Sequence, residues 1–260
     1  METTRKPNYV EELLEIFRSP LSAEELRDQI SDYHESDIAD AFEQLSVEER
    51  KKLYPLLGAE WVAEIFSYIE DPDEYLQELN LDQAAKVLSF MDSDDAVDVL
   101  DELDDSTQEK LVGMLDEESS HDIKMIQSYE DDEVGSLMTT NFVVIHDTLT
   151  IRQAMRELIR QAGENDNIST VYVIDKDNRF YGAIDLKDLI IARRESPLED
   201  LIATSYPYVY GNELIDDCIE RLKDYSEDSI PVLDNDNKLL GVITSQSMVD
   251  LVDDEMGEDY

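Results

Sequence analysis

Carboxylates carry whatever chemistry this chain performs. Asp92, Asp94, Asp95 and Asp98 fall within one seven-residue stretch, and Asp253, Asp254, Glu255, Glu258 and Asp259 within another. Clustered carboxylates suit hard divalent cations, since Mg2+ and Ca2+ take oxygen ligands from side chains and water. Asp94 and Asp98 are four apart, so on a helix they share a face, with Asp95 one step round. Left unneutralised, such a pair opposes the helix by about 0.2–0.5 kcal/mol. Asp94 and Asp95 would also lie in a first turn, where the helix dipole favours negative charge. On the residues alone, a solvated acidic turn is the stronger of the two readings, and a metal site stays open beside it.

The rest of the chain sharpens the question. It carries 65 Asp and Glu against 21 Lys and Arg, a net charge of -44 over 260 residues. Like charges packed into one fold destabilise it through self-repulsion, so a neutralising cation should favour the compact form. Nucleic acid is not expected as a partner, because a polyanion would be repelled and no basic stripe exists. The single cysteine, Cys218, rules out an intramolecular disulfide and a Cys-based zinc site, and is expected to be a small helix residue. His34, His121 and His146 are scattered without ligand spacing. No Gly-rich phosphate loop, nucleophile elbow or His–acid dyad appears, so the chain is not expected to be an enzyme. No apolar run approaches the roughly 18 residues a membrane span needs. No signal peptide is visible at Met1–Lys6, and as given the chain reads as soluble and cytoplasmic.

Two kinds of element must position these acids. Residues 1 to about 135 show apolar positions at steps of three and four, as in Val97, Leu100 and Leu103, with no strand pattern. A short unit recurs at Ser36–Phe42, Glu60–Phe66, Asp82–Leu88 and Asp94–Leu100. The last interval is about half of each of the others, so a single step underlies them all. A helix of about nine residues plus a short turn fits that step, and stacked helical hairpins give a solenoid. Ser36, Ser46, Asp92 and Asp104 sit where N-caps belong, and Trp61 sits at an apolar repeat position expected in the core. This half holds 39 acids and 10 bases.

Beyond it the period changes. Val171–Asp175 and Ile230–Asp234 are β-branched runs, each followed by a polar turn and a second apolar run containing Gly182 or Gly241. The copies align at one fixed offset, Asp175 with Asp234, Asn178 with Asn237 and Gly182 with Gly241. Helices are expected ahead of each, over Ile151–Gln161 and Glu213–Tyr225.

Tandem units of this kind, with Ile230-Pro231-Val232-Leu233-Asp234 before a turn and Gly241-Val242-Ile243-Thr244 after it, resemble a CBS-domain pair. The lead-in Val134–Thr139, then Phe142-Val143-Val144, matches the usual start of such a pair. With the acidic run Met91–Leu103 and the segment Glu133–Thr139, the chain is similar over nearly its whole length to the cytoplasmic part of the MgtE family of bacterial magnesium transporters.

The resemblance implies a fold of α plus α/β class. An N-terminal all-helical right-handed solenoid of short hairpins (1–132) precedes CBS domain 1 (133–199), CBS domain 2 and the start of a connection to a pore (200–260). It implies a Mg2+-sensing regulatory region on the cytoplasmic side of a membrane, joined to a transmembrane pore domain and dimerising through the CBS pair. Asp94 and Asp98 match acids that are metal ligands in relatives, with Asp95 beside them. Two helix carboxylates cannot complete the shell of Mg2+, which keeps several waters. The implied site is therefore a bridge, with partners among Asp228, Asp250, Asp254 and Glu255, and also Glu227 and Asp253. Relatives often carry an Asp pair after the Gly-x-x-Thr segment, where this chain has Ser245-Gln246-Ser247. CBS pairs also often bind ATP or another adenosine nucleotide through Gly-x-x-Thr/Ser-x-x-Asp. Here the first copy, Gly182–Asp188, keeps Asp188 but lacks the hydroxyl; the second, Gly241–Ser247, keeps Thr244 but lacks the acid. Thr244 and Asp188 are thus the candidate nucleotide contacts, and a nucleotide-sensing pair with a helical docking domain is the alternative reading.

Overall fold

The computed structural model describes residues 8–218 and 226–249. The chain divides into two compact units. One holds residues up to Met91 with Asp95–His121; the other holds Asp92–Asp94 and the chain from Asp122.

The first part of the chain is helical throughout: α1 (Tyr9–Phe17), α2 (Ala23–Ile30), α3 (Glu35–Glu43), α4 (Val47–Leu57), α5 (Ala59–Phe66), α6 (Pro72–Leu76), α7 (Leu81–Leu88), α8 (Ser93–Asp101), α9 (Asp105–Val112) and α10 (Glu117–Ile126). Short helices need explicit caps, because each terminus leaves backbone groups unsatisfied. Ser22 with Glu25, Ser46 with Glu49, and Asn80 with Gln83 form reciprocal capping boxes, and Asp104 caps α9. Ser36 does not cap α3. His34 holds that position, its ring accepting the Ser36 N–H, because the helix begins one residue before Ser36. Helices α3, α5, α7 and α9 begin at Glu35, Ala59, Leu81 and Asp105, the near-even spacing that the sequence repeat requires.

Each helix turns its apolar stripe inward. Phe42 packs edge-on against Phe17 and Tyr54, and Tyr54 against Phe66. Trp61 is only partly buried; its neighbours Val62 and Ala63 hold the core position of α5 instead. One charge enters this core. Arg50 is buried, its Nε 3.1 Å from both carboxylate oxygens of Glu78, and its guanidinium also meets the Leu45 carbonyl. The Tyr54 hydroxyl donates to Glu78 at 2.7 Å, and the guanidinium lies 4.7 Å from the centre of the Tyr75 ring. A buried ion pair is tolerated only when its remaining polar atoms are satisfied in this way.

The second part holds two three-stranded sheets. The first has β1 (Val143–His146), β2 (Thr170–Ile174) and β3 (Phe180–Asp185); the second has β4 (Val209–Tyr210), β5 (Ser229–Leu233) and β6 (Leu239–Thr244). In each, the first strand runs parallel to the middle one and the third antiparallel. Helix α11 (Ile151–Gln161) follows β1, and α12 (Leu186–Ile191) follows β3. Residues 215–218 and 245–249 are helical at the matching places of the second repeat. Both hairpins close alike. Asp175 accepts the N–H groups of Asp177 and Arg179, and Asp234 those of Asp236 and Lys238. Asn178 and Asn237 take the left-handed conformation, with φ of 59° and 63°, which asparagine tolerates.

The repeats are interlocked. Thr139, in the lead-in to the first, bridges to Val242 of the second sheet, and Ala203, in the lead-in to the second, bridges to Ala183 of the first. These crossings explain the motif glycines. A Cβ on Gly241 would lie 2.7 Å from the Thr139 carbonyl, and one on Gly182 2.7 Å from that of Ala203. Between the sheets Tyr172, Ala183 and Val242 are buried, with Phe142, Phe180 and Tyr206 packed around them. Cys218 is buried too, as a small helix residue should be.

Candidate metal centre and nucleotide cleft

Helix α8 buries Ala96, Val97, Val99 and Leu100 and leaves its acids on the opposite side. Asp94, Asp95 and Asp98 therefore share one helix, as their spacing requires. The Asp98 carboxyl is pushed up to about 6, first by desolvation and then by the charges of Asp95 and Asp101. That repulsion is what a bound divalent cation would remove, and an all-carboxylate donor set fits Mg2+ rather than a softer metal. The helix does not by itself close a coordination shell: among the described residues no three His, Cys, Asp or Glu side chains stand together as a metal site. Asp228 lies just before β5 in the second unit, its carbonyl accepting the Ser245 N–H at 2.9 Å. Asp250, Asp254 and Glu255, with Asp253, lie outside the described residues.

Residues 92–94 belong to the second unit, and the structure shows what receives them. The Asn141 side-chain amide donates to Asp92 at 2.8 Å, while its oxygen accepts the Asp166 N–H at 2.9 Å. The Thr140 N–H donates to the Ser93 hydroxyl at 2.9 Å, and the Thr140 hydroxyl donates to Asp122 at 2.8 Å. Desolvation raises the pKa of Asp92, with the Asn141 bond opposing and the charge of Asp166 adding to the rise. Asn141, Thr140 and Asp122 are missing from the sequence reading. The available signal was the polar run Thr139-Thr140-Asn141 set between apolar Met138 and Phe142.

The two Gly-x-x motifs end at equivalent places. Asp185 pairs across the sheet with Thr170, and Thr244 with Ser229. Asp185 caps α12, accepting the Lys187 N–H at 2.7 Å, and Asp188 lies in the first turn that follows. The Thr244 hydroxyl accepts the Ser247 N–H at 3.1 Å and lies 2.8 Å from the Ser247 hydroxyl. Beside Thr244 the chain carries Glu227 and Asp228, and Glu227 Oε2 is buried with no hydrogen-bond partner among the described residues. A carboxylate in place of one hydroxyl, and an unsatisfied carboxylate oxygen beside the other, do not fit a polyphosphate.

Comparison with known proteins bears on both sites. Residues 33–132 match the MgtE intracellular N domain, and residues 134–195 and 198–254 each match the CBS domain. The magnesium transporter MgtE of Enterococcus faecalis is 33% identical over 223 residues, covering 84% of this chain and 49% of that protein. The MgtE of Thermus thermophilus is 27% identical over 239 residues, covering 90% and 53%. The chain thus spans about half the length of the curated relatives it matches. A crystal structure of the soluble part of a magnesium transporter superposes with a TM-score of 0.88 at 32% identity, over 95% of this chain and 98% of that one. The cytosolic domain of the Mg2+ channel MgtE in complex with ATP superposes at 0.79 with 26% identity, over 94% and 98%.

Proposed function

The chain belongs to the MgtE family of magnesium transporters, and we propose that it is the Mg2+-sensing regulatory region on the cytoplasmic side of such a transporter. The carrying observation is the acidic face of α8, where neighbouring charges and desolvation already hold Asp98 near a pKa of about 6. When the ion is bound, Mg2+ supplies the positive charge that cancels this repulsion. Asp94, Asp95 and Asp98 would offer carboxylate oxygens from α8, and Asp228, Asp250, Asp254 and Glu255 from the CBS part of the chain. At high Mg2+ bound ions draw the parts together and hold the pore shut; as Mg2+ falls, the repulsion between the acids parts them. Ion binding and closure are reciprocally coupled, so the closed form need only bind Mg2+ better than the open one.

A second copy completes the assembly. Ile159 on α11 and Ile190 and Ile191 on α12 are 70%, 61% and 69% exposed, an apolar surface that a soluble unit ordinarily covers. Ile190→Asp should turn a dimer into a monomer in sedimentation equilibrium, and an unchanged dimer would place the interface elsewhere.

Small-angle scattering across a Mg2+ titration, with ionic strength matched by KCl, tests the sensor. Compaction in millimolar Mg2+, absent in KCl and weakened in Asp94→Ala/Asp98→Ala, is the expected result. A radius of gyration indifferent to Mg2+ would make the acids a solvated coat. The nucleotide-sensing alternative is favoured by the ATP complex of the similar cytosolic domain, and the residues of both Gly-x-x motifs oppose it.

A further inference from the structure

We infer that the CBS pair of this chain refuses adenosine polyphosphates, and that Asp185 and Glu227 are the side chains that refuse them. A nucleotide held between such repeats needs a hydroxyl or N–H at the phosphate end and an apolar wall for the base. Each repeat fails one requirement, and each fails a different one.

In the first repeat the wall is intact. Ile168 packs against the core formed by Val143, Val171 and Ile184. At the phosphate end, however, Asp185 stands where the motif calls for a hydroxyl. Its carboxylate is fixed there by the Lys187 N–H at 2.7 Å, so it caps α12 and cannot swing away without uncapping that helix. Its partner across the sheet, Thr170, is buried, while Asp185 itself is exposed at the end of β3.

In the second repeat the hydroxyl is present and the wall is lost. Thr244 sits opposite Ser229, but its oxygen already accepts the Ser247 N–H. Glu227 follows Ile168 by the same offset that relates Asp234 to Asp175, and so takes its place in the repeat. Among the described residues Glu227 Oε2 is buried without a hydrogen-bond partner, and Asp228 follows directly, tied to the end of β6 by the Ser245 N–H. Both carboxylates act on Tyr206, whose pKa burial raises and whose neighbours Glu227 and Asp228 raise further. The Tyr206 hydroxyl offers no relief to either acid, since it donates to the Ser229 carbonyl at 2.9 Å. A base entering here would meet a desolvated carboxylate, and a phosphate would meet two negative charges.

The inference does not depend on Mg2+ sensing, and it distinguishes this chain from the similar domain that holds ATP. Its test is titration calorimetry of the whole chain with ATP and with adenosine, in EDTA at fixed ionic strength. The proteins are the wild type, Asp185→Thr, Glu227→Gln and the double variant. Threonine retains the cap at 185 and glutamine the shape at 227, and matching thermal melts establish that all four fold. The wild type should bind ATP with a Kd weaker than about 1 mM, and each substitution should tighten ATP by about tenfold, the screened effect of removing one like charge near a phosphate. Adenosine should gain from Glu227→Gln and be indifferent to Asp185→Thr. Wild-type binding of ATP below about 100 µM would overturn the inference. So would a double variant that binds ATP no better than the wild type, since exclusion would then not reside in these two carboxylates.

Discussion

Replacing Asp98 by Asn should stabilise the protein when no divalent ion is present. The folded carboxyl titrates at about 6 against an ordinary 3.8. Fully converted, that gap of about two pH units would amount to about 3 kcal/mol. Asp98 is exposed on α8, so solvent screening reduces the effect to about 1 kcal/mol. The sign follows from proton uptake. Between 3.8 and 6 the folded state binds more protons than the unfolded one, so this group's contribution falls as pH rises and is lowest above pH 6. Asp98→Asn removes the penalty, and its advantage over the wild type should be full at about pH 7.5, smaller at about pH 4.5, and gone only below the unfolded value of 3.8. Urea denaturation in EDTA at both pH values measures it, and the helical transition should move up by about 5 °C in a thermal scan at the higher pH. Millimolar Mg2+ should reverse the order, because a ligand that binds the folded state stabilises whichever protein retains the binding carboxylate. An Asn variant less stable than the wild type in EDTA at the higher pH, or a difference that does not vary with pH, would refute the reasoning.

Three further outcomes are expected. Glu78→Gln should destabilise the helical unit by about 3 kcal/mol in urea, because it leaves the buried Arg50 guanidinium uncompensated, and Arg50→Met/Glu78→Leu should recover much of the loss. Gly241→Ala should lower stability by about 1–3 kcal/mol, since the added Cβ would lie 2.7 Å from the Thr139 carbonyl and push the lead-in off the second sheet. Ser46→Ala should remove the α4 capping box at a cost of about 1 kcal/mol, read from the same denaturation curves.

The elements are legible because their signals are local. A helix is expected over Ile151–Gln161, and α11 has those limits, with Thr150 as its cap. Asp175 and Asn178, with Asp234 and Asn237, mark both hairpin turns, because a short side chain that bonds its own backbone and tolerates positive φ is what such turns require. The acidic face of α8 follows from a four-residue step. Ser36 and Trp61 depart from expectation, one through a helix that starts a residue early and the other through a rotation that gives the core position to its neighbours.

By itself the sequence determined the two periodicities, the repeat offset, the acidity and the family. Tertiary structure alone decided which distant residues meet Asp92 and Ser93. Asn141 reaches Asp92 across 49 residues, and Thr140 reaches Ser93 across 47. It also decided that the lead-ins cross between sheets over Gly182 and Gly241, and that Glu227 holds a buried oxygen that no donor among the described residues meets. Periodicity and turn chemistry act over a few residues and can be read along the chain. Desolvation and charge repulsion depend on what folds over a residue, and that is a property of the packed molecule.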